Sequence, residues 1–238
     1  MDGFDELWPG GPRFQQDENG FPLSTDSVLL AAFAAGIRAG RILDLGCGAG
    51  VLEVLLAASH PGAEIRGVEI QPEAAALCRR NLVANGLPDG NILCADLREY
   101  RALFPAGVFD LVISNPPYFT PESGYAAPDE RRAAARTEGN CSLDELCAAA
   151  AYLCRWGGAF ALVHRPERLS EICCAMTAHG IEPKRLRLVQ YSAERAPNLL
   201  LLEGRRGGRP GLRLEPPLLL TDGAGNDTAE IRRIYHRE

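Results

Sequence analysis

Asp44-Leu-Gly46-Cys-Gly48-Ala-Gly50 follows the short apolar run Arg41–Leu45 and precedes Val51–Ser59, whose apolar residues recur at helical spacing. A strand, a glycine-rich turn and a helix in that order mark the start of a doubly wound sheet, where ligands bind at the carboxyl ends of the strands. Glycine permits the tight turn and the close backbone approach such a site needs. The spacing is G-x-G-x-G, which differs from the G-x-G-x-x-G of dinucleotide binders.

Strand and helix patterns alternate from this turn onward. Glu64–Ile70 reads as a second strand. Pro72–Asn85 reads as a helix, with proline in its first turn and Gly86 beyond its end. Asn91–Cys94 and Phe109–Ser114 are the third and fourth strands. Ser142–Arg155 is a helix whose Ser142 and Glu145 form a capping box. Gly158–His164 is a fifth strand, and Pro166–His179 a helix ended by Gly180. Leu186–Gln190 and Leu199–Glu203 are joined by a segment too short for a crossover helix, so they should pair antiparallel. Thr25–Ala35 predicts a helix ahead of the sheet, with Ser24 or Thr25 as its cap. The expected fold is α/β and doubly wound, a mostly parallel seven-stranded sheet with an antiparallel last strand. Residues 1–238 are expected to form one domain, with an N-terminal extension over 1–40. The C-terminal segment 205–238, rich in Arg, Gly and Pro, should be mostly irregular with a short terminal helix.

Carboxylates sit where a nucleoside would need them. Glu69 ends the second strand, placed to accept from both ribose hydroxyls. Ile70 can flank an adenine ring, and Asp96, after the third strand, can accept from an adenine amine. With Asp44, Gly46, Gly48 and Gly50 these form the expected cofactor set. NAD(P) would call for a third glycine cradling phosphate and leaves the next motif without a purpose.

That motif is Asn115-Pro116-Pro117-Tyr118, directly after the fourth strand. Asn115 offers a side-chain acceptor. Pro116 offers a carbonyl with no competing donor, in a turn stiffened by two prolines. Tyr118 offers a flat face for stacking. A planar exocyclic nitrogen has a delocalised lone pair and is a poor nucleophile. Two acceptors aimed at its hydrogens favour a pyramidal nitrogen and point the lone pair at an electrophile. Asn115 can thus serve both cofactor pocket and target.

The two motifs together resemble the amino methyltransferases of the Rossmann-like superfamily. Over the whole chain the sequence is similar to the bacterial tRNA(Val) adenine-N6 methyltransferases. Further likeness lies in Phe21-Pro-Leu-Ser-Thr-Asp-Ser-Val-Leu-Leu30, in Ala135-Arg136-Thr-Glu138 and in Glu230-Ile-Arg-Arg-Ile-Tyr235. The resemblance implies the class I S-adenosylmethionine methyltransferase fold and S-adenosyl-L-methionine as cofactor. It also implies cofactor contacts for Gly46, Gly48, Glu69 and Asp96, and target contacts for Asn115, Pro116 and Tyr118. Asp26 is a further candidate for the cofactor pocket, though helix capping accounts for it equally. The expected reaction is methylation of adenine N6 in tRNA. Glutamine methylation on release factors and DNA adenine methylation are the alternatives. Enzymes of the first kind usually carry a helical domain ahead of the sheet, and only about forty residues precede it here. No added target-recognition module is visible for the second.

The net charge of −6 is unevenly spread, −10 over residues 1–130 and +4 over 131–238. Residues 183–213 carry Lys184, the chain's sole lysine, and seven arginines. This permits a local phosphate-binding face as readily as a solvated basic surface. The 119–141 loop is long enough to be functional. It is expected to close over the target base, with Arg131, Arg132 and Arg136 meeting phosphate. Eight cysteines form no C-x-x-C pair and read as buried apolar residues, with no disulfide framework and no metal expected. No apolar run is long enough to span a bilayer, and the first eleven residues lack the charge pattern of a secretory leader. A cytosolic protein is the expectation; a monomer is assumed, and the sequence does not set the oligomeric state.

Overall fold

The computed structural model describes residues 3–15, 24–117 and 141–237. Tyr118, Arg131, Arg132, Arg136 and the loop they belong to lie outside the described residues. In chain order the elements begin with β1 (Phe4–Glu6), β2 (Arg13–Gln15), α1 (Thr25–Ala34) and β3 (Arg41–Leu45). They continue with α2 (Val51–Ser59), β4 (Glu64–Glu69), α3 (Pro72–Ala84), β5 (Ile92–Cys94), α4 (Tyr100–Leu103) and β6 (Phe109–Ser114). The second half holds α5 (Leu143–Leu153), β7 (Cys154–His164), α6 (Leu169–Ala178), β8 (Ile181–Gln190) and β9 (Leu199–Arg206). Two short strands, β10 (Arg213–Leu214) and β11 (Leu218–Leu219), and α7 (Ala229–Ile234) complete the chain.

The seven principal strands lie in the order β8-β9-β7-β6-β3-β4-β5. All neighbours are parallel except β9, which runs antiparallel to both β7 and β8. This is the sheet expected from the sequence. Side chains alternate between its two faces, as the pleat requires. Phe160 and Leu162 of β7 and Leu200 and Leu202 of β9 face the core beneath α5 and α6. Ala159, Ala161 and Val163, with Leu199 and Leu201, face the core beneath α1 and α2. Both faces are covered, which is why these strands read as continuous apolar runs.

Several boundaries differ from the sequence reading, each for a local reason. β8 begins at Ile181 rather than Leu186, and Pro183 sits inside it. The register against β9 shifts between Pro183 and Arg185, so the proline occupies an irregularity where its missing N–H costs no ladder bond. α5 stops at Leu153 because Cys154 turns to extended backbone and starts β7 at once. The N-terminal extension contains an unforeseen hairpin, β1 with β2. It docks on α3 through asparagines. Asn81 Oδ1 accepts from the Gln15 N–H at 2.8 Å, and Asn85 Oδ1 from the Arg13 N–H at 2.9 Å. Phe14, fully buried, fills the small core between β2, α2 and α3. The C-terminal segment is also more regular than expected. β10 and β11 pair parallel with the edge strand β8.

His164 closes β7 in a buried position and takes the Arg165 N–H on Nδ1 at 2.8 Å. Burial, reinforced by the positive charge of Arg168, lowers its pKa from 6.5 to about 4. The folded state therefore keeps His164 neutral where the unfolded chain protonates it. Its contribution is complete above pH 6.5 and is lost as pH falls towards 4. Wild type should lose up to about 3 kcal/mol more stability than His164→Gln between pH 7.5 and pH 4.5, at roughly 1.4 kcal/mol per pKa unit. Urea unfolding at a series of pH values measures the difference, and parallel curves for the two proteins would exclude this assignment.

Candidate active site

β3 and β6 are adjacent and parallel, with Asp44 opposite Ile113. From β3 the chain proceeds to β4 and β5 on one side, whereas β6 and β7 lie on the other. The carboxyl ends of β3 and β6 thus flank the switch point of the sheet, where a crevice opens. Ser114 Oγ donates to the Leu45 carbonyl at 2.7 Å and ties the two ends together. The glycine turn and the Asn115-Pro116-Pro117 turn leave the sheet side by side.

The glycine turn is built on β4. The Gly46 and Cys47 N–H groups both donate to the Val68 carbonyl, at 2.9 and 3.1 Å. Glu69 then fixes the rest: its Oε2 accepts from the Gly48 N–H at 3.0 Å and its Oε1 from the Gln71 N–H at 2.9 Å. A carboxylate has lone pairs beyond these two bonds, so it can also accept from hydroxyl donors. Gly46 has φ +85° and Gly50 φ +83°, conformations that exclude most side chains. Gly50 is doubly constrained, because a Cβ there would lie 2.7 Å from Cys78 Sγ. Asn81, on α3, pins the same turn by donating to the Ala49 carbonyl at 2.9 Å.

Asp44 lies beneath the turn, 1% exposed, with neither carboxylate oxygen hydrogen-bonded among the described residues. Burial raises its pKa well above the ordinary carboxylate range, and the neighbouring charges of Glu53 and Glu69 raise it further. Such a group costs stability unless a donor or cation meets it.

Asn115 is anchored from α1, its Nδ2 donating to Ser27 Oγ at 2.9 Å. Ser24 caps α1 by accepting from the Asp26 N–H at 3.1 Å, so Asp26 stands in the first turn. Ile70 follows β4 and is half-buried. Asp96 follows β5, where its side chain caps a short helical turn through the Arg98 N–H at 2.9 Å. The Arg98 guanidinium also binds both oxygens of Asp96 and holds its pKa below the ordinary value. Asp44, Gly46, Gly48, Gly50, Glu69, Asn115 and Pro116 are thus brought to one end of the sheet, with Ile70 directly after β4 and Asp96 after β5. Sequence reasoning missed Ser27 and Asn81. Ser27 carried a signal, a serine leading an otherwise apolar helical run. Asn81 carried none, since a polar residue on α3 reads as solvated.

Residues 24–130 match the family model "Methyltransferase small domain". A tRNA1(Val) (adenine(37)-N6)-methyltransferase of Porphyromonas gingivalis is 34% identical over 205 residues, covering 81% of this chain and 78% of its own. The enzyme of that name from Shewanella amazonensis is 37% identical over 190 residues, covering 79% of each. The chain belongs to the tRNA1(Val) (adenine(37)-N6)-methyltransferase family. The crystal structure of a predicted O-methyltransferase of Agrobacterium tumefaciens superposes with a TM-score of 0.71 at 25% identity, over 89% of this chain and 96% of that one. TrmN from Thermus thermophilus superposes at 0.56 and 20% identity, over 76% of this chain and 48% of that one, and shares the fold.

This family member is a methyltransferase that uses S-adenosyl-L-methionine as methyl donor. The residues present suit that ligand. It carries an ammonium and a sulfonium, and the Asp44 carboxylate lies buried and unpartnered beside the turn. Glu69 sits at the strand end where ribose hydroxyls need an acceptor.

Replacing Gly50 with alanine tests the turn directly. The left-handed backbone and the contact with Cys78 should together cost about 2–3 kcal/mol, and S-adenosylmethionine affinity should fall with the distorted turn. Urea unfolding and calorimetric binding measure the two effects, and an alanine variant of wild-type stability would contradict this account of Gly50.

Proposed function

We propose that this chain methylates the N6 amine of adenine in tRNA, at adenine 37 of tRNA(Val). The observation that carries the proposal is the position of Asn115 and Pro116 beside the glycine turn, on strands locked in register. The names of the relatives supply the substrate. S-adenosylmethionine, when bound, supplies a methyl group on an electrophilic sulfonium. Asp44, Gly46, Gly48, Gly50, Glu69, Ile70 and Asp96 hold it. The Asn115 side-chain oxygen and the Pro116 carbonyl accept the two hydrogens of the adenine amine. This turns the nitrogen lone pair out of conjugation and towards the methyl carbon. One amine proton would leave to solvent on methyl transfer, since the Asn115-Pro116-Pro117 turn offers acceptors and no strong base. Positioning replaces a strong base. Tyr118 stacks on the base, and Arg131, Arg132 and Arg136 meet phosphate. The adenine must leave its stack to enter the site. With tRNA as its substrate, the enzyme works in the cytoplasm.

The name of the Agrobacterium neighbour raises oxygen methylation as a second reading. A hydroxyl has one hydrogen and would leave one of two acceptors unused, and it needs deprotonation by a base that the Asn115 turn does not provide. Glutamine amides share the geometry of the adenine amine, so glutamine methylation is separated by experiment.

Labelled S-adenosylmethionine should be offered with unmodified tRNA, release-factor protein and duplex DNA in parallel. Label should enter tRNA as N6-methyladenosine, and Asn115→Ala should cut the rate by about 100-fold or more, the usual cost of removing a transition-state partner. Label on protein or DNA alone would overturn the RNA substrate. Wild-type activity in the variant would overturn the role of Asn115.

Neutralising Arg131, Arg132 and Arg136 to glutamine should weaken tRNA binding. The slope of log affinity against log salt should become shallower by about 2, at roughly 0.7 for each phosphate no longer neutralised on single-stranded RNA. Filter binding at several salt concentrations reads this, and an unchanged slope would remove these arginines from the interface.

A further inference from the structure

Beneath the glycine turn lies a cluster that the methyl-transfer chemistry does not use. Cys47 belongs to the turn, Glu53 to the first turn of α2, and Cys78 to α3. All three are buried, with exposures of 6%, 1% and 0%. The two Sγ atoms and a Glu53 oxygen lie within 4.8 Å of one another. By hydrogen-bond geometry neither Glu53 oxygen has a partner among the described residues, and the Cys47 thiol lies close enough to interact with its carboxyl. Two glycines make room for these donor atoms. A Cβ on Gly67 would lie 2.5 Å from Glu53 Oε1 and 2.9 Å from Cys47 Sγ, and one on Gly50 would lie 2.7 Å from Cys78 Sγ.

We propose that Cys47 Sγ, Cys78 Sγ and the Glu53 carboxylate bind a thiophilic divalent cation, zinc by its chemistry. An unpaired carboxylate enclosed with two thiols is a costly arrangement for a core, and a cation at its centre removes the cost. Around a tetrahedral zinc, sulfur and oxygen donors stand roughly 3.5–3.8 Å apart, so atoms within 4.8 Å of one another reach that spacing by contracting about 1 Å or less. Thiolates select zinc over the hard cations magnesium and calcium. Binding converts two thiols and a carboxyl to their anions and releases their protons to solvent. The ion would clamp the turn to α2 and α3, the two helices behind it. The cysteines are far apart in sequence, with no C-x-x-C spacing to advertise them.

The test uses full-length protein purified without a metal-affinity tag. Elemental analysis should find about one zinc per chain, with chelation lowering Tm and added Zn2+ restoring it. Cobalt added to the stripped protein should give a thiolate-to-metal charge-transfer band. Cys78→Ser and Glu53→Gln should lose the metal, while Cys174→Ser, at an exposed thiol, should keep it. The wild-type titration stands even if a core variant fails to fold. Stripped wild type with no band on Co2+ and no Tm change on Zn2+ would overturn the site, as would zinc retained in Cys78→Ser. None of these readouts involves tRNA, so they are independent of the proposed substrate.

Discussion

The pairing of β3 with β6 sets the geometry on which everything at the site depends. Asp44 stands opposite Ile113, and the hydroxyl of Ser114 reaches the Leu45 carbonyl across the gap. A slip of one residue would turn Leu43 and Val112 out of one core and Ile42 and Leu111 out of the other. The register is therefore enforced by both hydrophobic layers at once. Because both strands end level, the glycine turn and the Asn115 turn emerge as neighbours. The arrangement proposed for catalysis is an outcome of core packing, and Ser27 of α1 adds a further restraint by accepting from Asn115 Nδ2.

The turn carries an electrostatic burden that packing alone would not select. Asp44 and Glu53 are buried with unpartnered oxygens, and their charges oppose each other and that of Glu69. Glu69 is relieved by two backbone N–H groups. The other two are raised well above the ordinary carboxylate range, chiefly by burial. A cationic ligand bound at the turn would meet Asp44, and the proposed metal would meet Glu53. The region is arranged to be most stable when loaded, since any ligand that binds only the folded state adds to its stability.

How much was legible in the sequence depended on whether a local rule carried the information. The strand Arg41–Leu45, the helix Val51–Ser59 and the capping box at Ser142 and Glu145 were readable, because periodicity and capping are local chemistry. The early start of β8 was hidden by Pro183, whose bulge depends on β9. The hairpin of β1 and β2 was hidden because α3 holds it through Asn81 and Asn85, residues that announce nothing by themselves. At the site, the glycines, Glu69 and Asn115 were readable as a pattern. The grip of Arg98 on Asp96 and the meeting of Cys47 with Cys78 arise only when distant segments or flexible side chains converge.

The basic stretch 183–213 shows why composition alone was ambiguous. Its arginines suggested a phosphate-binding face, yet most are engaged within the chain. Arg185 and Arg205 both bind Glu203, Arg213 binds Glu215, and Arg187 holds both oxygens of Glu230 at 2.7 Å. The Arg187 pair fastens α7 across β8, while β10 and β11 hydrogen-bond along the same strand. Without them β8 would present a long open edge, the feature most prone to pair with other chains. Glu230, Ile231 and Tyr235 thus have a structural purpose, with Ile231 buried in the core beneath α1. Several of these cations, among them Lys184, Arg185, Arg205 and Arg213, line a cleft at the amino-terminal ends of the parallel strands, opposite the glycine turn. A tRNA whose adenine enters beside Asn115 approaches the other end of the sheet. Arg195, in the connection between β8 and β9, stands at that end and is exposed, and Arg131, Arg132 and Arg136 are proposed to add to the positive charge there.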